Sequence, residues 1–422
     1  MVSKPFRRDV RSRGCDWTQT AHLSQSIDPQ VTPLTGFVLL WAIATSLIWI
    51  FGSIKAAFDL ARIPQISHVN PPKPAVYPRL SVIIPACNEE DTLARALQTL
   101  LDQDYPDLEV IVVNDRSTDA TGVILNQMAQ QDDRIVPIHI HQLPDGWLGK
   151  VNALHQGVQR ATGDWLLFTD ADIYYAPGVL RQSIAYSLHR QLDHLALLAD
   201  FHSPSLGADI AISGFLGLGL AKWEPHKVED PNSDVFIGVG AFNLIRRSAF
   251  EDTPGFEWLK MEVVDDIGLG KLMHVYRKHS AIALAKNALS VQWYPSLMAM
   301  MRGLEKNTFG AAANYNYLNL FGFIILFWGF LLGPVGIFLM DIPFRWVLPL
   351  GVFIAMMGYG YAMKIHLNRP LKTFLFFPFG LFMFSLAILR AGILCGLRGG
   401  VVWRGTHYPT AQLKAGQRIK MT

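Results

Sequence analysis

Between residues 80 and 169 the chain alternates apolar runs of strand length with segments of helical periodicity, and this alternation limits the fold more than any other feature. Residues 80–85 (Leu-Ser-Val-Ile-Ile-Pro) have the pattern of a buried strand, and residues 89–103 follow with Leu93, Leu97, Leu100 and Leu101 on one helical face. Residues 108–113 repeat the strand signal. Ser117 and Thr118 then cap a helix that starts near Asp119, residues 135–140 form the next strand, and a helix from near Gly149 leads to the strand 165–169. Strands that are apolar on both faces and separated by helices pack as a mostly parallel sheet covered on both sides, with ligands at its carboxyl edge. The expected fold class is therefore α/β.

The strand 165–169 ends in two carboxylates one residue apart, Asp170 and Asp172. Exposed hard oxygen ligands at the end of a buried strand suit a divalent cation, Mg²⁺ or Mn²⁺, which is characteristically held by one or two carboxylates plus substrate phosphates. An ordinary solvated strand end is the bland alternative. Three further groups fall on the same edge: Pro85, Asn88 and Glu89 after the first strand, Asp115 after the second, and Lys150 beside the turn at Gly149. Loops at these places contact a nucleotide base and ribose, Asp115 suits the N–H donor of a uridine ring, and Lys150 supplies a point charge for phosphate.

Charged residues make up only 17% of the 422-residue chain and hydrophobic residues 50%, which points to membrane segments. Residues 34–54 carry no charge and match a retained anchor rather than a cleaved signal peptide. The proline-rich residues 70–74 form a stiff linker, and the soluble domain spans residues 75–292. The apolar stretch 210–221 is too short to span. Residues 293–316 mix Trp, Met298, Met300, Met301, Arg302 and Lys306, the composition of an interfacial helix that puts its methionines into the bilayer boundary and its cations on phosphates. Within residues 318–396 the segments 318–340, 346–363 and 374–396 have spanning length, but Arg390 and the Pro378/Gly380 pair leave the third either a span or a broken, re-entrant segment.

Lys364, His366, Arg369 and Lys372 place their loop in the cytoplasm and the soluble domain with it. The basic tail 1–33 (Lys4, Arg7, Arg8, Arg11, Arg13) then lies outside, against the charge rule. A net charge of +3 spread along the chain gives no nucleic-acid footprint. Cys15, Cys87 and Cys395 are too far apart for a disulfide framework or a zinc site, which is consistent with a reducing compartment.

Taken together, these segments resemble the family 2 glycosyltransferases of the GT-A fold, and among them the membrane-anchored, ceramide-glucosyltransferase-like enzymes that glycosylate lipids. The residues that carry the resemblance are Ser81-Val-Ile-Ile-Pro-Ala-Cys-Asn-Glu-Glu, Asp115, Gly149-Lys150-Val-Asn152-Ala153, Asp170-Ala171-Asp172, the segment from Val239 to Arg247, and Val264-Asp265-Asp266. The resemblance implies a nucleotide-diphospho-sugar transferase domain with one N-terminal and two to three C-terminal transmembrane helices. It makes Asp115 the base-binding aspartate, Asp170 and Asp172 the metal motif, and Asp266 the catalytic base, with Asp265 standing where the family has Glu. An adjacent carboxylate such as Asp265 raises the proton affinity of Asp266, as a base working near neutrality requires.

The chain departs from the family at residues 299–303, where Gln-x-x-Arg-Trp is reduced to Arg302 followed by Gly303. That departure, with too few spans for a channel, disfavours polymer synthesis. Trp403-Arg404-Gly405-Thr-His407-Tyr408 resembles the Trp-Arg-x-Gly-Arg-Tyr tail of the ceramide-type enzymes, with His407 replacing an arginine, and this resemblance implies that the tail 397–422 returns to the cytoplasmic surface, which favours a broken third segment. The expectation is an inverting transferase that moves one sugar from a UDP-linked donor to a lipid acceptor at the cytoplasmic face. A short polysaccharide synthase and a nucleotide-binding membrane transport or scaffold protein are the alternatives. Loss of Asp115, Asp172 or Asp266 would mark the last, and all three are present.

Overall fold

The computed structural model describes residue 1 and residues 33–340 and 342–420. Lys4, Arg7, Arg8, Arg11, Arg13, Cys15 and Asp341 lie outside the described residues. The first described element is a 29-residue helix, α1 (Pro33–Ala61), and the chain enters an α/β domain through β1 (Leu80–Ala86), α2 (Leu93–Leu101), β2 (Leu108–Asp115), α3 (Thr121–Gln131), β3 (Ile135–Ile140), α4 (Gly149–Arg160) and β4 (Trp165–Phe168). Next come β5 (Tyr174–Tyr175), α5 (Val179–His189), β6 (His194–Leu198), β7 (Asp200–His202), α6 (Leu206–Trp223), β8 (Asn243–Arg246), α7 (Arg247–Glu251), α8 (Asp265–Val275), β9 (Ser280–Leu284) and β10 (Leu289–Gln292). The remainder is α9 (Leu297–Gly303), α10 (Glu305–Ala313), α11 (Tyr317–Gly336), α12 (Val347–Leu367), α13 (Leu371–Phe374), α14 (Phe377–Arg398), the hairpin β11 (Gly400–Trp403) and β12 (Thr406–Pro409), and α15 (Thr410–Gly416).

Seven strands form the central sheet in the order β3-β2-β1-β4-β8-β6-β9. β1 pairs in parallel with β2 and β4, β2 with β3 and β6 with β9, while β8 runs antiparallel to both neighbours. Every residue of β2 and β4 is buried, because helices cover both faces of these strands. The parallel order turns the carboxyl ends of β1, β2 and β4 to one edge, as the alternating apolar runs predict.

Among the described residues, five helices are long and apolar enough to cross a membrane: α1, α6 with the turn that follows it, α11, α12 and α14. The inclusion of α6 corrects the expectation that this stretch is too short. The helix extends beyond residues 210–221 at both ends because Asp209 is neutralised inside the protein by Arg369, whose guanidinium also donates to Ser213 Oγ at 3.1 Å. Removing one partner of such a buried pair costs ~3–5 kcal/mol. At its other end Glu224 pairs with Lys55 near the domain end of α1.

The loop after α12 lies against the α/β domain, with Asn368 donating to Asp200 at 2.7 Å and Lys286 to the Ile365 carbonyl at 2.6 Å. α14 starts a few residues after that loop as an unbroken helix, and the hairpin after it packs on the same domain. Both ends of α14 thus face the α/β domain, whereas a plain crossing would put them on opposite sides. Arg390, whose charge made this segment doubtful, is held at that surface by Glu305 of α10, which also pairs with Arg398.

Residues 293–316 form two short helices rather than one. Ser296 caps α9 by accepting from the Ala299 N–H at 3.1 Å. The capped turn points Met300 into the core at 1% exposure and leaves Met298 exposed at 51%. The expectation that Met298 and Met300 share one bilayer-facing side is thereby corrected. Glutamate at Met300 is expected to destabilise the protein by ~3 kcal/mol or more, against under ~1 kcal/mol at Met298, a contrast that thermal unfolding of the two variants measures.

Candidate active site

The edge formed by β1, β2 and β4 carries the carboxylates in fixed relation to one lysine. Asp170 follows the last residues of β4, and its backbone N–H donates to the Gly240 carbonyl at 3.1 Å, which ties the strand end to the loop before β8. Lys150, in the first turn of α4, reaches Asp170 Oδ1 at 2.8 Å and Asp265 Oδ2 at 3.1 Å. Burial disfavours the charge on Lys150, but the three carboxylates Asp170, Asp265 and Asp266 outweigh it and raise its proton affinity. The lysine therefore links the end of β4 to the start of α8.

Asp266 occupies the opposite wall. Its Oδ2 accepts from the Gly240 N–H at 3.0 Å and its Oδ1 from Ile267 N–H at 2.9 Å, and no cation pairs with it among the described residues. Burial, then the charge of Asp265, pushes its pKa up to about 6. Gly240 stands between the walls, because a Cβ there would lie 2.8 Å from Asp170 Oδ2 and 3.4 Å from Asp266 Oδ2. A glycine is required for the two carboxylates to converge on one space. That space is a small, partly open cleft lined by Pro85, Lys150, Asp170, Gly240, Asp265 and Asp266 among others.

Asp172 makes no ion pair among the described residues, and burial followed by the charges of Asp170 and Glu89 pushes its carboxyl up to about 7. A part-buried carboxylate beside two others is stabilised by a cation, and the donors here are hard oxygens, so Asp170 and Asp172 fit Mg²⁺ or Mn²⁺.

Farther along the edge, Asp115 is buried at the end of β2, and both its oxygens accept from Arg116, at 2.7 Å from Nε and 3.0 Å from Nη2. Gly149 closes against this pair, since a Cβ there would sit 2.3 Å from Asp115 Oδ2. Asn88, with positive φ, joins the loops after β1 and β2 by accepting from the Thr118 N–H at 2.8 Å and donating its own N–H to Ser117. Glu89 accepts from Arg404 at 2.8 Å. The structure thus gathers Pro85, Asn88, Glu89, Asp115, Lys150, Asp170, Asp172, Asp265 and Asp266 along one edge. It does not join Arg302 to them: that residue is exposed on α9 and makes no ion pair among the described residues.

Four residues enter the site region that sequence reasoning left out of the nucleotide-binding set: Arg116, Tyr294, Arg404 and Tyr408. Tyr294 rests on Gly303, where a Cβ would meet its Cε1 at 2.4 Å, and burial followed by Asp172 and Asp170 raises its pKa. Its ring is 5.0 Å from Trp293, which touches Phe215 of α6 at 5.2 Å, and Phe215 in turn meets Phe384 of α14 at 5.3 Å. An aromatic row therefore runs from α14 to the acidic edge.

Comparison with known proteins resolves the architecture. Residues 81–253 match the family described as Glycosyl transferase family 2, from the first residues of β1 to just past α7. This segment is a family 2 glycosyltransferase domain. The chain is similar to a β-monoglucosyldiacylglycerol synthase of Synechocystis, 25% identical over 210 residues, covering 48% of this chain and 41% of that one, and to a poly-β-1,6-N-acetyl-D-glucosamine synthase of Staphylococcus aureus, 27% identical over 268 residues, covering 59% of each. The chain thus spans less than two thirds of the length of these relatives. In fold it is similar to a mannosyltransferase of Pyrobaculum calidifontis solved with GDP-mannose and Mn²⁺, with a TM-score of 0.50 at 16% identity over 85% of this chain and 99% of that one. The family 2 domain thus has the GT-A fold, with one apolar helix before it and several after it.

Proposed function

We propose that the protein is an inverting glycosyltransferase that moves one sugar from a nucleotide-sugar donor, UDP-linked, to the hydroxyl of a lipid at the cytoplasmic face of a membrane. The observation that carries this reading is the convergence of Asp170 and Asp266 on Gly240, with Lys150 bridging Asp170 to Asp265. Among the described residues Asp266 accepts hydrogen bonds from backbone N–H groups alone, and its pKa is pushed up to about 6, so it accepts the proton of the acceptor hydroxyl as that oxygen attacks the anomeric carbon. The bond to the diphosphate breaks on the opposite face of the sugar, and its electron pair leaves with the phosphate. Asp265 positions Lys150 and raises the basicity of Asp266, while Asp115, Asn88 and Glu89 shape the nucleotide loops. Asp170 and Asp172 would hold Mg²⁺ or Mn²⁺, which when bound neutralises charge on the departing diphosphate.

A lipid acceptor is supported by the aromatic row from α14 to Tyr294 and by the similarity to a glucolipid synthase. Helices α1, α11 and α12 cross the bilayer in this reading, and α6 and α14 lie along its surface beneath the domain. Met298 is then at the boundary, and Met298→Glu is expected to impair transfer to a membrane-embedded lipid at least ~10-fold more than transfer to a short-chain, water-soluble analogue. Equal loss on both acceptors removes lipid entry from this segment. Incubating membranes that contain the protein with labelled nucleotide sugars, then separating the lipid extract, tests the whole assignment. One labelled lipid supports it, a ladder of products makes the protein a short polysaccharide synthase, and no incorporation returns it to nucleotide binding without turnover.

A further inference from the structure

The hairpin that follows α14 lies across the donor loops, although the residues of the proposed reaction do not require it there. Its turn is Arg404-Gly405, and both residues have positive φ, 47° and 77°. Two-residue turns of this kind favour Asn, Asp and Gly, because a longer side chain is strained in the left-handed region. An arginine at such a place is explained by what its side chain does rather than by the turn. Its guanidinium donates to the Cys87 carbonyl and to Glu89 Oε1, both in the loop after β1.

The rest of the hairpin reaches the other donor elements. Thr406 Oγ1 accepts from Arg116 at 3.1 Å, beside Asp115, and the Tyr408 hydroxyl accepts from the N–H of Gly149 at 3.2 Å, one residue before Lys150. Lys306 of α10 places its Nζ 3.9 Å from the centroid of the Trp403 ring and pairs with no carboxylate among the described residues. One hairpin thus touches the loops after β1 and β2 and the start of α4, carrying Arg404 there and holding Lys306 of α10 against its Trp403.

Charge balance makes those cations significant. Lys150 is already shared between Asp170 and Asp265, so a diphosphate entering beside these carboxylates needs positive charge from elsewhere. The Arg404 side chain is 40% exposed, and its ion pair with Glu89 faces solvent. Such pairs are weak and exchange readily, whereas a guanidinium binds phosphate through two parallel hydrogen bonds.

We propose that the β11–β12 turn is part of the donor site, with Arg404 binding the diphosphate of the nucleotide and Lys306, stacked on Trp403, supporting it. The proposal rests on the nucleotide-sugar reading above. Full-length protein in detergent with Mn²⁺ is titrated with UDP and GDP by calorimetry, and with uridine and guanosine by ligand-observed NMR. Arg404→Ala is expected to weaken the preferred diphosphate at least ~10-fold and leave its nucleoside unchanged; Arg404→Lys should recover part of the loss, and Lys306→Gln should cost less than Arg404→Ala. Unchanged nucleoside binding also reports that the variant is folded. Wild-type affinity for the diphosphate in Arg404→Ala, or equal losses for diphosphate and nucleoside, overturns the proposal alone. A wild-type protein that binds neither UDP nor GDP overturns the nucleotide-sugar reading and this proposal with it.

Discussion

Asp266→Asn is expected to leave nucleotide-sugar affinity nearly unchanged while turnover falls by at least ~10²-fold, the loss typical of a missing general base. Asparagine keeps an oxygen for the Gly240 N–H that Asp266 Oδ2 accepts at 3.0 Å, and Lys150 remains bound to Asp170 and Asp265. The donor loops are untouched. Single-turnover rates and donor binding measured on the same preparation separate the two effects, and turnover within tenfold of wild type would assign the proton to another group. The wild-type pH profile carries the same information. The pKa of Asp266 is raised to about 6, so the working, deprotonated form is complete above that value and is lost as pH falls through it. Rate should therefore drop on the acid side with a midpoint near 6. Asp265→Asn removes the second-largest cause of the rise and should move that midpoint to lower pH, while burial and Asp170 still act to raise it.

The sheet was legible because β1, β2 and β4 are buried on both faces, so their sequences are continuous apolar runs that only a covered parallel sheet accommodates. The acidic edge was legible for the same reason: a run that stops at Asp115 or Asp170 marks where the sheet ends. Long-range pairing was not. The reach of α6 depends on Arg369, 160 residues away, neutralising Asp209, and a hydropathy count sees only a charge that shortens the segment. The placement of Arg390 and Arg398 depends on Glu305 in the same way. Residues 293–316 were misjudged because Ser296 caps a short helix, which turns Met300 inward although its composition matches that of Met298. The contacts of Arg404 follow from a chain return of over three hundred residues to Cys87 and Glu89, which the local motif at residues 403–408 does not encode.

Asp172 is the residue whose charge the site balances least. Asp170 has Lys150 and Asp265 has the same lysine, but Asp172 has no cationic partner among the described residues, and burial beside Asp170 and Glu89 raises its proton affinity. A carboxylate in that position is costly unless a cation or a proton joins it. Asparagine has the same shape without the charge, so Asp172→Asn is expected to fold as well as wild type or better. It should nevertheless lose transfer by at least ~10²-fold, because the departing diphosphate loses the charge neutralisation that Lys150, already shared, does not supply. Wild-type activity should vanish in excess chelator and return with Mg²⁺ or Mn²⁺, and UDP should bind wild type more tightly with Mn²⁺ than without it. In Asp172→Asn that difference should disappear while the metal-free affinity is kept. Transfer by wild type in chelator at its full rate, or a variant that still responds to Mn²⁺, would move the cation away from Asp170 and Asp172 and leave Lys150, Lys306 and Arg404 to carry the leaving group alone.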